Sequence, residues 1–282
     1  MLRYRDAFRP ALAPIAVRPT ACAARDDGGV RRAVLLFIIA LLAGTALAFA
    51  QSPVPSKASS LEVLIRWAPL LLWGFVLNIM ISLAAMAIGT VAGVPVGIAQ
   101  LSLVRPVRML ARAITQIFRN SPWLVLLFLC VFLIPFEIRA FGWRIPFPDW
   151  AKAIFGFSLP VMANTSEIVR GAILSVPKGQ WESSSALGLS RLRTLRLVIL
   201  PQCVKRMLPP WMNLYSLIIM STVNASIVGV SEMITLTGQV HAAEGSRPEL
   251  LAPLYAFALF CFFCYCHPIS RWTRHLEQKY KA

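Results

Sequence analysis

Charge is what this sequence has least of. Only 14% of its 282 residues are Asp, Glu, Lys or Arg, and only 12 are acidic, where a soluble domain carries roughly 25% charged residues. So few solvating groups exclude an ordinary water-soluble globular domain. Enzymatic signatures are missing too. There is no G-x-x-x-x-G-K-[ST] phosphate cradle, so ATP is not held here by a Walker A loop. Nor is there a G-x-S-x-G, an H-E-x-x-H or a dinucleotide fingerprint, and no catalytic residue is assigned. The six cysteines, Cys22, Cys130, Cys203, Cys261, Cys264 and Cys266, lack the spacing of a secreted disulfide framework. Most lie in or beside apolar runs, where a thiol packs as a small hydrophobe. Cys261-x-x-Cys264-x-Cys266-His267 invites a metal reading, but zinc needs converging ligands, and on one helix Cys264 and Cys266 point to different sides. No metal site is expected.

Apolar sequence is plentiful: 57% of residues are hydrophobic and the mean hydropathy is +0.67. A bilayer core about 30 Å thick takes roughly 20 apolar residues in helical form. Six segments approach that length: Ala33–Ala50, Leu70–Ile98, Ala113–Phe136, Ala151–Ile173, Met207–Val230 and Leu250–Ile269. They are too long and too uniform for spanning strands. The expected fold is therefore an all-α integral membrane protein.

The net charge of +16 falls between these runs rather than on a recognition motif, so nucleic acid is not an expected partner. With the N-terminus inside, 22 of the 28 Lys and Arg lie on the inner side; only Lys57, Arg66, Arg139, Arg144, Lys152 and Arg247 are left outside. The positive-inside rule thus places both termini in the cytoplasm. Glu62, Glu137, Asp149, Glu232, Glu244 and Glu249 fall in outer connections, and several tryptophans sit near run borders as an aromatic belt. Residues 1–30 read as a disordered cytoplasmic tail. Residues 31–69 hold a transmembrane helix and an outer connection. Arg31-Arg32 before the run and Ala48-Phe49-Ala50 after it fit a signal-like segment as well. Residues 70–282 form the main membrane domain.

Gly89, Gly93 and Gly97 recur at four-residue spacing, which predicts a close helix–helix seam, and Pro95 among them predicts a kink. Polar groups inside the runs are Asn78, Arg119, Asn164 and Glu167, with Arg170 one helical turn beyond Glu167. Two readings fit them: a water-lined path for a polar solute, or ion pairs and amide bonds that tie helices together.

The stretch at about 176–206 breaks the apolar pattern. Pro177 and Gly179 are expected to end a membrane helix, and a short helix is expected over 180–187. Gly188 suits a left-handed stop, Ser190 can cap a helix from Arg191, and Pro201 is expected to close it. The product is a helix–glycine–helix elbow, too amphipathic to span and too apolar to float free.

Glu182-Ser183-Ser184, then Gly188, then Val198-x-Leu200-Pro201 resembles the EAA loop of ABC-importer permeases. Ser166-Glu167-Ile168-Val169-Arg170-Gly171-Ala172-Ile173, running into Val176-Pro177-Lys178-Gly179-Gln180, is similar to the polar amino acid (His/Glu/Gln/Arg/opine) branch. So are Phe118-Arg119-Asn120-Ser121-Pro122 and Gly229-Val230-Ser231-Glu232-Met233. The resemblance implies a five-helix type I permease core plus one extra N-terminal transmembrane helix. It also implies an elbow that docks on an ATPase through Glu182, Ser183, Ser184, Ala186, Gly188, Leu200 and Pro201. Asn78, Arg119, Asn164, Glu167 and Asn224 are the residues assigned to a solute path. The implied partners are an ABC ATPase dimer, a second permease chain (a copy or a sister), a periplasmic solute-binding protein and membrane lipid. ATP and Mg would be held by the ATPase, with no cofactor on this chain. The implied place is a bacterial inner membrane, and the implied activity is uptake of a polar amino acid or derivative by alternating access. A membrane-embedded enzyme using Glu167, or a passive channel, are the rival classes. Where the branch commonly has Lys-Asp-Thr-Ser-Leu, this chain has Met220-Ser221-Thr222-Val223-Asn224, which loses two charges.

Overall fold

The computed structural model describes residues 59–140 and 143–280. The Ala33–Ala50 run and the remainder of residues 1–58 lie outside the described residues, as do the readings placed on them.

Helix α1, Ser60–Ala99, is 40 residues long, or about 60 Å at 1.5 Å per residue. It starts well before the predicted run, where the Ser59 hydroxyl accepts from the Glu62 N–H at 3.2 Å. Pro69 and Pro95 lie inside it without ending it. The predicted single run Ala113–Phe136 is corrected. It is split between α2 (Arg105–Asn120) and α3 (Trp123–Leu133), which meet at a bend of 104°. Ser121-Pro122 explains the break. Proline lacks an N–H and pushes its predecessor out of helical space, and Ser121 is extended at φ −82°, ψ 140°.

A short antiparallel hairpin follows, β1 (Glu137–Ala140) with β2 (Trp143–Pro146), in register Glu137 to Pro146 and Ala140 to Trp143. It is the one departure from an all-helical chain among the described residues. Beside it Lys152, counted from sequence among the charges of the outer side, is fully buried. Its Nζ stands 3.2 Å above the Phe136 ring and 3.5 Å from Asp149.

Helix α4, Asp149–Leu174, is the central element and packs on α1, α2, α3 and the long helix that follows the elbow. Among the described residues three helical stretches are long and apolar enough to cross a membrane, Ser60–Ala99, Arg191–Val228 and Pro248–Tyr280, and the bent α2–α3 pair could make a fourth. Predicted as a span, α4 is not among them. Its Asn164, Glu167 and Arg170 make it too polar to face lipid, and its place in the interior removes the need. The glycine seam forms as expected. A Cβ on Gly89, Gly93 or Gly97 would lie 2.8, 2.7 or 2.6 Å from the carbonyl oxygens of Ser158, Met162 and Ser166. The four-residue steps on both helices mean that α1 and α4 run parallel, backbone against backbone.

Past α4 come α5 (Lys178–Ala186) and α6 (Arg191–Thr194), then a π turn (Leu195–Ile199) and α7 (Leu200–Ser221). Pro201 therefore does not close a helix. The missing proline N–H falls in the first turn of α7, and just ahead of it the Leu200 N–H reaches back to the Leu195 carbonyl. That wider turn gives the ring room and lets the helix run on. A 3-10 turn (Thr222–Val228), α8 (Met233–Ala243) and α9 (Pro248–Tyr280) complete the described chain. Val63, Leu71, Met233, Leu250 and Leu254 form the core at the hairpin end of the bundle. Val169, Ile173, Val176, Ile199 and Cys203 form it at the elbow end.

Candidate functional site

The elbow is built by local sequence. Helix α5 ends in a paired turn: the Gly188 N–H donates to the Ser185 carbonyl at 2.9 Å, and the Leu189 N–H to that of Ser184 at 3.1 Å. This arrangement needs a left-handed residue after the helix, and Gly188 supplies it at φ +74°. Two expectations are corrected: α5 begins at Lys178, so Gly179 lies inside it, and α4 has already stopped at Leu174.

The elbow is anchored on one side and bare on the other. Trp181, Leu195 and Val198 pack onto the core made by Val169, Ile173 and Val176. Arg206 donates to both the carbonyl and the hydroxyl of Ser175, at 2.7 and 2.8 Å, which ties α7 to the end of α4. Arg191 lies 5.9 Å from the Trp181 ring. Facing away, Glu182, Ser183, Ala186 and Gly188 are exposed, and Leu187 keeps 80% of its surface bare. Of the other residues assigned to docking, Pro201 is exposed, Leu200 is half-buried and Ser184 is buried. The Ser184 hydroxyl is turned inward to the Gln180 carbonyl at 2.7 Å. The elbow is therefore a short helix joined through α6 and the π turn to α7 and the bundle.

Gly188 is unobstructed, since nothing lies within 4 Å of an added Cβ, so a substitution there tests conformation alone. Gly188→Val is expected to cost about 1–2 kcal/mol, the penalty for a left-handed L-residue. Gly179→Ala, equally open but inside α5, should be neutral or stabilising by up to about 1 kcal/mol. Thermal unfolding in detergent reads both.

The five residues assigned to a solute path do not form one lining. Glu167 and Arg119 do meet, at 3.6 Å, and Arg170 holds the same carboxylate at 2.7 Å. Just beneath, Gln100 donates to Thr115 at 2.9 Å and to Ser166 at 3.1 Å, a fully buried polar layer joining α1, α2 and α4. Gln100, Arg112, Gln116, Glu167 and Arg170 line a hollow of about 290 Å³. Asn78 lies elsewhere. It is wholly buried, donating to Thr222 at 2.9 Å and to Glu232 at 3.0 Å while accepting from the Met233 N–H. Glu232, predicted in an outer connection, is wholly buried too. It accepts the N–H groups of Ile234 and Thr235, as the N-cap of α8. Asn164 folds back on the Pro160 carbonyl at 2.8 Å, and Asn224 is half-buried in the 3-10 turn.

The hydroxyl bonds between helices, half-buried in the bundle, were missed from sequence. Tyr215 and Tyr265 share a 2.6 Å bond, and Trp211 donates to Thr90 at 2.8 Å. Single hydroxyls in apolar runs carry no spacing signal that would pair them. The described cysteines are free thiols, and no group of three His, Cys, Asp or Glu stands close enough to hold a metal among the described residues.

The described residues thus form a bundle of apolar helices, three of them or four long enough to cross a membrane, with one short helix turned out at its end. Residues 85–282 match the family described as "Binding-protein-dependent transport system inner membrane component", and the chain belongs to that family. It is 32% identical over 212 residues to the L-cystine transport system permease protein TcyB of Bacillus subtilis, covering 75% of this chain and 86% of that one. It is also 32% identical over 208 residues to the nopaline transport system permease protein NocM of Agrobacterium fabrum, covering 72% and 86%. A solved structure described as an amino acid ABC transporter with histidines superposes with TM-score 0.65 at 21% identity, over 79% of this chain and all of that one. Inward-facing conformations of the methionine ABC transporter MetNI superpose with TM-score 0.57 at 19% identity, over 75% and 98%. The fold is that of an ABC-importer permease. The chain is a non-catalytic, multi-pass transport subunit, and ATP hydrolysis belongs to a separate chain.

Proposed function

We propose that the protein takes up a polar amino acid or amino-acid derivative by alternating access, with α5 as the docking element for an ABC ATPase. The observation that carries the reading is the two-sided elbow. Its inner side packs on the core through Trp181, and Arg206 of α7 holds Ser175 at the end of α4, while Glu182, Ser183, Ala186 and Leu187 stand free. A helix held in this way passes motion of a bound partner into α4 and α7 rather than dissipating it. Relatives named for cystine, nopaline, glutamine and glutamate/aspartate transport support the solute class. The concentration of Lys and Arg at the elbow end supports a cytoplasmic elbow and a periplasmic hairpin. One elbow among the described residues supports a pair of permease halves above two ATPases, with a solute-binding protein delivering from outside.

The Glu167 carboxylate is engaged by two guanidiniums, an arrangement that favours a tie between α2 and α4 over an acid–base role. The loss of the Lys-Asp charges at Met220-Ser221 supports a solute without a strongly charged side chain. Ala186→Arg and Glu182→Lys, both on the bare side, test the docking reading in the complete transporter in proteoliposomes. Each is expected to cut ATP-driven uptake at least about tenfold while membrane insertion and unfolding temperature stay as in wild type. Uptake at the wild-type rate in both variants would remove the elbow from the mechanism.

A further inference from the structure

A second feature of the elbow end is a cleft of about 940 Å³ between the turn joining α1 to α2 and the inner side of the elbow. Its size is at the top of the range that holds small-molecule ligands. Ile98, Leu101 and Val104 form one wall and Leu174, Trp181 and Leu195 the other. Leu103 and Leu192, also in the lining, are 70% and 74% exposed, open hydrocarbon that water does not favour. Two charged side chains stand in the lining, Lys178 and Arg191, and both are cations.

We propose that this cleft holds one anionic phospholipid, its acyl chain between the two walls and its phosphate between Lys178 and Arg191. The proposal rests on the reading that the elbow end faces the cytoplasmic leaflet, where anionic lipids gather and where each Lys or Arg near the surface adds attraction. Charge selects the occupant. A zwitterionic headgroup would carry its ammonium to two cations. Position gives the lipid a role. It lies between the end of α1 and Trp181, the side chain that anchors α5, so an occupied cleft braces the elbow against the bundle.

The test uses the full-length chain purified in detergent and titrated with phosphatidylglycerol or phosphatidylcholine under native mass spectrometry. Wild type is expected to retain one phosphatidylglycerol in preference to phosphatidylcholine. In Lys178→Gln/Arg191→Gln that retention should fall roughly thirtyfold, from about fivefold per cation. Phosphatidylglycerol brominated on its acyl chains should quench a fluorescence component that is absent in Trp181→Phe. Equal retention of both lipids, or equal retention by wild type and the double variant, overturns the headgroup assignment. A Trp181 component untouched by brominated lipid means that protein, whether residues 1–58 or a second copy, fills the cleft, and this too overturns the proposal. These readouts need no leaflet. The orientation reading is checked apart from them, by labelling Leu187→Cys in sealed cells and in inverted vesicles with a membrane-impermeant maleimide.

Discussion

Gly93→Val is expected to yield no monodisperse folded protein, whereas Gly171→Ala should be indistinguishable from wild type or slightly more stable. Both glycines lie in helices, so propensity alone would make either substitution favourable by up to about 1 kcal/mol. The difference is what a side chain meets. At Gly93 a Cβ comes within 2.7 Å of the Met162 carbonyl oxygen and 2.8 Å of the Thr165 Cβ; at Gly171 nothing lies within 4 Å. Crowding against a flexible side chain costs about 1–3 kcal/mol. Here the obstacle is backbone, which cannot rotate aside, so α1 must move away from α4 along the whole seam. Each of the neighbouring contacts at Gly89 and Gly97 would open with it. Against a total stability of about 5–15 kcal/mol such a loss is decisive. Fluorescence-detected size-exclusion chromatography checks the pair, and a normal elution peak for Gly93→Val would refute the seam.

The second large effect is expected at the buried network joining α1 to α8. Asn78→Leu removes a donor to Glu232, a donor to Thr222 and the acceptor of the Met233 N–H together. Leaving a buried polar group without a partner costs about 1–3 kcal/mol, and here more than one group is orphaned at once. Glu232→Ala should be comparable: it strips the cap from α8 and orphans the N–H groups of Ile234 and Thr235. Glu232→Gln, which keeps an acceptor oxygen, should cost less than half as much. The double variant Asn78→Leu/Glu232→Ala should lose clearly less than the sum, since the two share one interaction. Unfolding temperatures of the four proteins in the same detergent give the cycle, and additive losses would show that the residues act independently.

Legibility in the sequence followed the range of the signal. The glycine seam could be read because its cause is local and periodic: small residues every four positions mark one face of one helix. The Gly188 stop could be read because a left-handed turn after a short helix calls for glycine. The break at Ser121-Pro122 was chemically visible, yet the hydrophobic count ran across it and produced one span where there are two helices. The reverse happened at Pro201. A proline that ordinarily stops a helix was absorbed by a π turn five residues wide, which no count of apolar residues reveals.

Polar residues were the least legible. Asn78 and Glu232 lie 154 positions apart, and nothing in their own neighbourhoods says that they touch. Lys152 is placed on the outer side by the count of cations along the chain, and only the ring of Phe136 above it shows it enclosed. By itself the sequence determined that the chain is helical and membrane-bound, which end gathers the cations, and where the elbow turns, since each of these follows from runs, spacings and single residue types along the chain. Tertiary structure alone decided which polar groups are locked inside, that α4 rather than a more apolar helix takes the centre, and which side of the elbow stays bare. Those outcomes depend on partners brought together from distant segments, and burial is a property of the pair rather than of either residue.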